Sequence, residues 1–361
     1  MIVQALELEN FRNYEELKLD FHEGINIFYG DNAQGKTNIL EAVYLCSTNK
    51  SHRSSRDREM IRFDADEAHI KMFLSRRDSM YRIDMHLKKN RAKGIAINGL
   101  PIRRASELFG IANVVFFSPE DLQIIKEGPA GRRKFLDLEL CQLDKIYVYN
   151  LVNYNKALNQ RNLLLKELSV RPEYRDTLDI WDAQLVKFGS HLIAIRKKFM
   201  EELMPIVEEI HGRLSGGKET LVLTYEPNVR AEEFAGALEK NRERDIRQKA
   251  TQSGPHRDDI RFCVNGIDIR TYGSQGQQRT AALSLKLAEI ELVKKATKDT
   301  PVLLLDDVLS ELDAGRQNYL LGSIEGIQTM ITCTGLDDFV THRFHIDKIF
   351  RVKSGTVVKE N

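Results

Sequence analysis

Gly30-Asp31-Asn32-Ala33-Gln34-Gly35-Lys36-Thr37 spells GxxxxGK[ST], and each fixed position has a chemical reason. Gly30 and Gly35 permit backbone conformations that turn successive N–H groups inward around phosphate oxygens. Lys36 reaches the β- and γ-phosphates of a nucleoside triphosphate, and the Thr37 hydroxyl ligates Mg2+. An apolar strand over residues 25–29 precedes the loop. A helix from about Lys36 to Cys46, with Asn38 in its first turn, follows it. The helix adds its N-terminal dipole to the anion site. This context makes ATP and Mg2+ the expected ligands.

A phosphate loop needs a second carboxylate for the metal at the end of a neighbouring strand. Val302-Leu303-Leu304-Leu305-Asp306-Asp307 supplies one: an unbroken apolar run reads as a buried strand. Asp306 would hold Mg2+ through water, and Asp307 would orient or deprotonate the attacking water. Asp307 and Lys36 are therefore the candidate catalytic pair. The competing reading makes the two aspartates caps of a helix near Ser310.

Phosphate loops serve many machines, so the loop alone names no function. Here roughly 265 residues separate Thr37 from the acidic strand, far more than in small kinases and GTPases. Just before that strand, Ser274-Gln275-Gly276-Gln277-Gln278 opens a helix. A serine with the N–H groups of a helix N-terminus is a second phosphate-binding surface. One nucleotide does not need two such surfaces from one chain, so this one is expected to close over a partner subunit's ATP. Ser310-Glu311-Leu312-Asp313 is placed for contacts across the same dimer.

The elements that position these groups follow from periodicity. Residues 2–8, 17–21 and 67–103 alternate as strands, and 113–117 reads as a buried strand. Residues 130–215 carry apolar positions at helical spacing, with Pro205 expected to kink or break the second helix. A charged helix is expected over 231–250, strands over 219–225, 258–270 and 329–333, and a terminal hairpin over 343–358. The fold class is α/β. One domain comprises residues 1–120 plus 300–361, and a helix-rich domain over 121–299 is inserted into it.

Bulk properties narrow the partners. With 54 basic and 53 acidic residues the net charge is +1, so any nucleic-acid binding must use a local basic patch. Cys46, Cys141, Cys263 and Cys333 form no CxxC pair; neither a zinc site nor a disulfide framework is expected, and a reducing cytoplasmic setting fits. No stretch approaches 18 uncharged apolar residues, so no membrane span is expected.

The phosphate loop, serine signature and acidic strand together resemble the ABC-type ATPase head, in the branch shared with chromosome-maintenance and double-strand-break-repair ATPases. In that class the serine signature of one head completes the ATP site of the other. Segments 8–19, 30–47, 117–137, 254–266, 273–289 and 301–313 extend the likeness along the chain. The sequence resembles the RecF family of bacterial recombination and gap-repair proteins. The resemblance implies an ABC-type ATPase domain with an inserted helix-rich signature domain and no long coiled coil. It implies ATP-dependent dimerisation on double-stranded DNA near single-strand gaps, support of recombinase loading, weak DNA-stimulated hydrolysis, and RecR and RecO as partners. It also places Arg12 and Asn13 beside the adenine. The alternatives are a transporter ATPase subunit and a non-catalytic ATP-gated DNA clamp.

Departures from the family pattern are specific. Gln275 stands where the signature has glycine, and Asp307 where many relatives have glutamate. Residues 331–334 lack the usual histidine, leaving Thr332 or Thr334 as γ-phosphate sensor; Gln123 is the glutamine-lobe candidate, with Glu120 and Asp121 close by. Candidate DNA contacts are Arg53 and Arg56, in a basic cluster from Lys50 to Arg58, and Arg132 and Arg133 at a helix start, where the unfavourable dipole hints at a partner anion though an internal salt bridge would serve. The cluster reads equally as a solvated loop or an ATP-phosphate contact. His256 reads as an interface residue or a structural histidine, and Trp181 as core.

Overall fold

The computed structural model describes residues 1–54, 56–336 and 345–360. Ser55 of the basic cluster and the start of the expected terminal hairpin, at 343 and 344, lie outside the described residues. Two compact units emerge: Met1–Asp121 with Lys286–Asn361, and Leu122–Leu285. The return to the first unit comes at Lys286, inside a helix, rather than at residue 300 after it.

In chain order the first unit contributes β1 (Ile2–Phe11), β2 (Tyr14–Asp20), β3 (Ile25–Tyr29), α1 (Lys36–Thr48), β4 (Glu67–Arg76), β5 (Ser79–Lys88), β6 (Arg91–Ile97), β7 (Leu100–Pro101) and β8 (Val114–Phe117). The second holds α2 (Leu122–Lys126), α3 (Pro129–Leu143), α4 (Lys145–Glu167), α5 (Leu178–Leu214), β9 (Leu221–Glu226), α6 (Phe234–Gln248), β10 (Asp259–Val264), β11 (Ile267–Asp268) and the start of α7 (Gln275–Thr297). The first unit then closes with β12 (Val302–Asp306), α8 (Ala314–Ser323), β13 (Thr329–Cys333), β14 (Lys348–Lys353) and β15 (Thr356–Glu360).

The site depends on one sheet of the first unit, ordered β15-β14-β3-β13-β12-β8. Strands β14, β3, β13, β12 and β8 run parallel, and β15 pairs antiparallel at the edge. All residues of β8, β12 and β13 are buried, which is why these segments read as continuous apolar runs rather than alternating ones. Register then aligns their C-terminal ends: Asp306 lies opposite Thr332, and Thr332 opposite Phe28. The loop after β3 and the carboxylates ending β12 therefore share one edge, where ligands bind in open parallel sheets. The unit's other sheet is antiparallel, ordered β2-β1-β4-β5-β6-β7.

In the second unit α4 and α5 pack together, and β9, β10 and β11 form a small antiparallel sheet. Two buried arginines tie this unit's segments together. Arg161 bonds Asp182 at 2.5 Å, Asp245 at 2.7 Å and the Thr251 hydroxyl at 2.9 Å. Arg196 on α5 donates to Asp137, the Tyr147 hydroxyl, Pro255 O and Asp258. Such charges are tolerated inside only because they are paired. Trp181 packs at the margin of the Leu164, Leu165, Leu168 and Leu178 cluster.

Of the kink or break expected at Pro205, the break does not occur; the helix runs on to Leu214. Its ring lies on the exposed face while Leu203 and Val207 on either side are fully buried, so the lost backbone donor falls where water can compensate. Among the described residues no helix is long and apolar enough to cross a membrane, and no disulfide joins the four cysteines.

Glycine positions in these helices differ in sign. A Cβ on Gly189 of α5 would stand 2.5 Å from the Phe234 ring and 2.9 Å from Tyr154, whereas Gly236 of α6 has open space. Gly189→Ala should therefore destabilise by about 1–3 kcal/mol through overpacking. Gly236→Ala should stabilise by up to about 1 kcal/mol through helix propensity. Denaturant midpoints of the two variants check this; equal shifts would contradict the packing.

Candidate nucleotide site

The phosphate loop uses its glycines as the spacing requires. Gly30 has φ 148° and Gly35 φ 115°. A Cβ at Gly30 would collide with the Val352 carbonyl, and one at Gly35 would lie 2.6 Å from the Asn13 side chain. Asp31, Asn32 and Ala33 are exposed at the loop's crest, and Lys36 is buried beneath it. The Lys36 ammonium donates to the carbonyls of Gly30 (2.6 Å) and Asp31 (2.8 Å), which holds a positive charge inside the loop. Burial lowers its pKa, opposed by Asp307, Cys333, Asp306 and Asp31.

Neighbouring segments fix the loop's shape. The Asn13 amide donates to Gln34 O at 2.9 Å and accepts from Asn38 at 2.8 Å. The Tyr14 hydroxyl donates to Gly35 O at 3.1 Å, and the turn between β14 and β15 donates Ser354 N to the Gln34 side chain at 2.6 Å.

Asp306 joins the loop to the acidic strand. One of its oxygens, Oδ1, accepts from the Thr37 hydroxyl at 2.8 Å and from the Thr332 hydroxyl at 2.7 Å. The Thr332 hydroxyl in turn accepts from Asp307 N at 3.0 Å. Thr37 and Asp306 thus converge as hard oxygen donors, a set that suits Mg2+. Asp307 takes φ 54°, a conformation that costs a non-glycine residue energy and recurs at functional sites. Burial raises its pKa against the opposing pull of Lys36, and Asp306 raises it further. A carboxylate raised in this way is the better proton acceptor. The aspartates do not cap the helical turn at Leu309–Glu311, whose N-cap is Val308 with no side-chain bond; α8 is capped by Asp313, which accepts Arg316 N at 3.0 Å. Of the two sensor candidates, Thr332 is buried within this chain of bonds and Thr334 is exposed beyond the strand.

Beside the loop lies a group that sequence reasoning missed. Glu41, fully buried on α1, accepts from Arg12 at 2.6 and 2.8 Å, Arg53 at 2.9 Å and Ser51 at 2.5 Å. Burial alone would raise its pKa, but the two guanidinium groups and the hydroxyl hold it at about 2. Arg12 also bonds Glu59 O and the Ser54 hydroxyl, and Arg53 bonds the Asn38 side chain at 2.6 Å. Both arginines therefore stiffen the start of α1. Arg56 is exposed.

In the second unit Ser274 is exposed and caps α7. Gln277 N donates to its hydroxyl at 3.2 Å, and Ser274 N donates back to Gln277 Oε1 at 3.0 Å. This reciprocal pair is a capping box, legible as S-x-x-Q. Gln277 also reaches Glu219 at 3.0 Å, and the buried Gln278 reaches Ile269 O at 2.7 Å. Gln275 and Gly276 are exposed beside Ser274, as is Gln123 on α2. Arg132 is corrected as a DNA contact: it is 2% exposed and bonded at 2.5 and 3.0 Å to Asp259. The salt bridge makes its place at a helix start tolerable. Arg133, half-buried, donates to Asp258 O at 2.8 Å. His256 is structural, held between the Tyr154 hydroxyl at 2.7 Å and Thr251 O at 3.0 Å, with burial pushing its pKa down to about 4.

The sequence matches the RecF/RecN/SMC N-terminal domain family over residues 2–356. It is 61% identical over 363 residues to the DNA replication and repair protein RecF of Lachnospira eligens, covering 100% of both chains. It is 62% identical over 359 residues to that of Lachnoclostridium phytofermentans, covering 99% of this chain and 100% of the other. Among solved structures it resembles the recombination mediator protein RecF with ATP, of the RecFOR pathway: TM-score 0.93, 38% identity, 100% of this chain and 98% of that one. The Smc head domain of Pyrococcus furiosus matches in fold alone, with TM-score 0.58 at 18% identity over 100% of this chain and 96% of that one.

Thr332→Val removes a hydroxyl that joins Asp306 to Asp307 while keeping side-chain volume. A lost hydrogen bond to a charged group, about 1.5–3 kcal/mol, should slow ATP hydrolysis by about tenfold to a hundredfold and change ATP affinity by no more than a few-fold. Steady-state phosphate release and equilibrium ATP binding test this; an unchanged rate would remove Thr332 from the site.

Proposed function

The chain belongs to the RecF family of DNA replication and repair proteins, and from that membership we propose a specific use for each part of its site. Its fold is that of the ABC/SMC-type ATPase head. The observation that carries the proposal is the 2.8 Å bond between Thr37 and Asp306, which unites the phosphate loop with the acidic strand. ATP is gripped by the backbone of residues 30–37 and by Lys36, with Asn13 and Asn38 shaping the loop. Mg2+, held by Thr37 and Asp306, would offset phosphate charge when bound. Asp307 orients and deprotonates the attacking water. Its side chain is shorter than glutamate's, which keeps turnover low. Arg12 takes the adenine side of the site through its placement beside α1.

We further propose that hydrolysis needs a second chain. Ser274, with the exposed N-terminus of α7, closes over the partner's γ-phosphate, and Ser310 to Asp313 lie in the same interface. ATP binding thereby pairs two chains on double-stranded DNA beside single-strand gaps, supporting recombinase loading in the cytoplasm with RecR and RecO. Arg56 supplies a DNA-phosphate contact. Arg53 and Arg133 serve it only through whatever part of their guanidinium groups their internal bonds leave exposed. The short side chain at 307 also favours a second reading, a DNA clamp gated by ATP binding with almost no hydrolysis; absent phosphate release with DNA present would select it.

Mixing two defective variants is the test. Lys36→Ala should lose its own nucleotide, whereas Ser274→Arg should bind ATP as a monomer yet fail to pair. A two-fold dimer has two composite sites. In the mixed dimer one site carries both defects and the other neither, so ATP hydrolysis should return on mixing to about half the parent rate or less. No recovery, together with lost ATP binding by monomeric Ser274→Arg, would place the signature in its own chain's site.

A further inference from the structure

The antiparallel sheet of the first unit groups two histidines and a glutamate on one face. His69 on β4 and His86 on β5 are direct cross-strand partners, and Glu67 precedes His69 by two residues on the same face. The imidazoles stack with centroids 4.0 Å apart and planes at 26°. His86 Nε2 lies 2.9 Å from one Glu67 oxygen, and His69 Nε2 lies 3.8 Å from the other. One ligand atom from each of the three falls within 4.8 Å of the other two. Tetrahedral ligands of Zn2+ are separated by roughly 3.3 Å, so small rotamer changes would complete the set.

The surroundings leave this position open to an ion. On the far flank of His86 the register places Gly94, which has no side chain. On the far flank of His69 it places Glu9 of β1, adding negative charge along the row. His69 and His86 line a cavity of about 450 Å3, so solvent reaches them. Cations compete: the Lys88 ammonium stands 3.5 Å from Glu67 Oε2, and Lys71, Lys93, Arg103 and Arg104 line the same cavity.

We propose that Glu67, His69 and His86 bind a borderline divalent transition-metal ion of the Zn2+ class, with water in the remaining position. Two imidazole nitrogens and one carboxylate favour Zn2+, Co2+ or Ni2+ over Mg2+, which prefers oxygen ligands. The site is chemically distinct from the Thr37 and Asp306 pair and ties β4 to β5. It does not depend on the nucleotide reading above.

The test uses the full chain in millimolar Mg2+, which occupies hard-oxygen sites, with Zn2+ binding read by equilibrium dialysis. One equivalent is expected. Losing an outer partner of a metal ligand already costs about 10–100-fold in affinity, so His69→Ala and His86→Ala should each weaken binding at least about tenfold. Lys88→Ala should tighten it, a gain that misfolding cannot produce. Co2+ in place of Zn2+ should give visible d–d bands without a thiolate charge-transfer band, separating this site from the cysteines. Absence of stoichiometric Zn2+ binding, retained affinity in either histidine variant, no tightening in Lys88→Ala, or a thiolate band would each overturn the proposal.

Discussion

One carboxylate oxygen, Asp306 Oδ1, accepts hydrogen bonds from Thr37 and Thr332, and the nucleotide site depends on that convergence. It brings together groups 269 positions apart in the chain. Parallel register makes this possible, because β3, β13 and β12 end at a common edge. Any slip would move the carboxylate away from the loop, and in a strand a one-residue slip also reverses every side chain. The buried apolar faces of β8, β12 and β13 fix the register, so the apolar core and the polar site are one constraint. The second unit can be inserted between β8 and β12 without disturbing it, since sheet pairing rather than chain continuity holds those strands together.

The second unit presents its signature on a braced scaffold. Arg196 fastens α3, α4, α5 and the turn before β10 through four partners. Gln277 and Gln278 anchor the first turn of α7 to Glu219 and Ile269. Ser274 therefore keeps its exposed hydroxyl and the helix N-terminus in fixed relation, as a phosphate contact requires if little ordering is to be lost on binding. The same hydroxyl accepts Gln277 N through a lone pair, which leaves its proton to donate in the phosphate contact proposed above.

How much of this was legible in the sequence follows from how local each signal is. The phosphate loop was readable because glycine freedom and the lysine and threonine act within eight consecutive residues. The acidic strand was readable because burial on both faces leaves an unbroken apolar run. Glu41 was not, since a carboxylate on a helix normally faces water and its partners Arg12, Ser51 and Arg53 come from two other segments. For Arg132 the sequence left a DNA contact and an internal salt bridge both open for the same reason: its partner Asp259 lies far along the chain. That Pro205 leaves α5 unbroken was not legible, because propensity alone does not tell which face of α5 it would occupy. The S-x-x-Q spacing was visible in the sequence as a phosphate-binding surface, and the structure shows that the same atoms form a helix cap. The end of the inserted unit was placed at a loop, whereas α7 continues through the boundary.

The central claim is that one chain supplies only half of a working ATP site. Light scattering of the intact chain with Mg2+ and either ATP or ADP measures it most directly. The account predicts the mass of two chains with ATP and of one chain with ADP. A single-chain mass with ATP at saturating concentration, accompanied by undiminished hydrolysis, would contradict it.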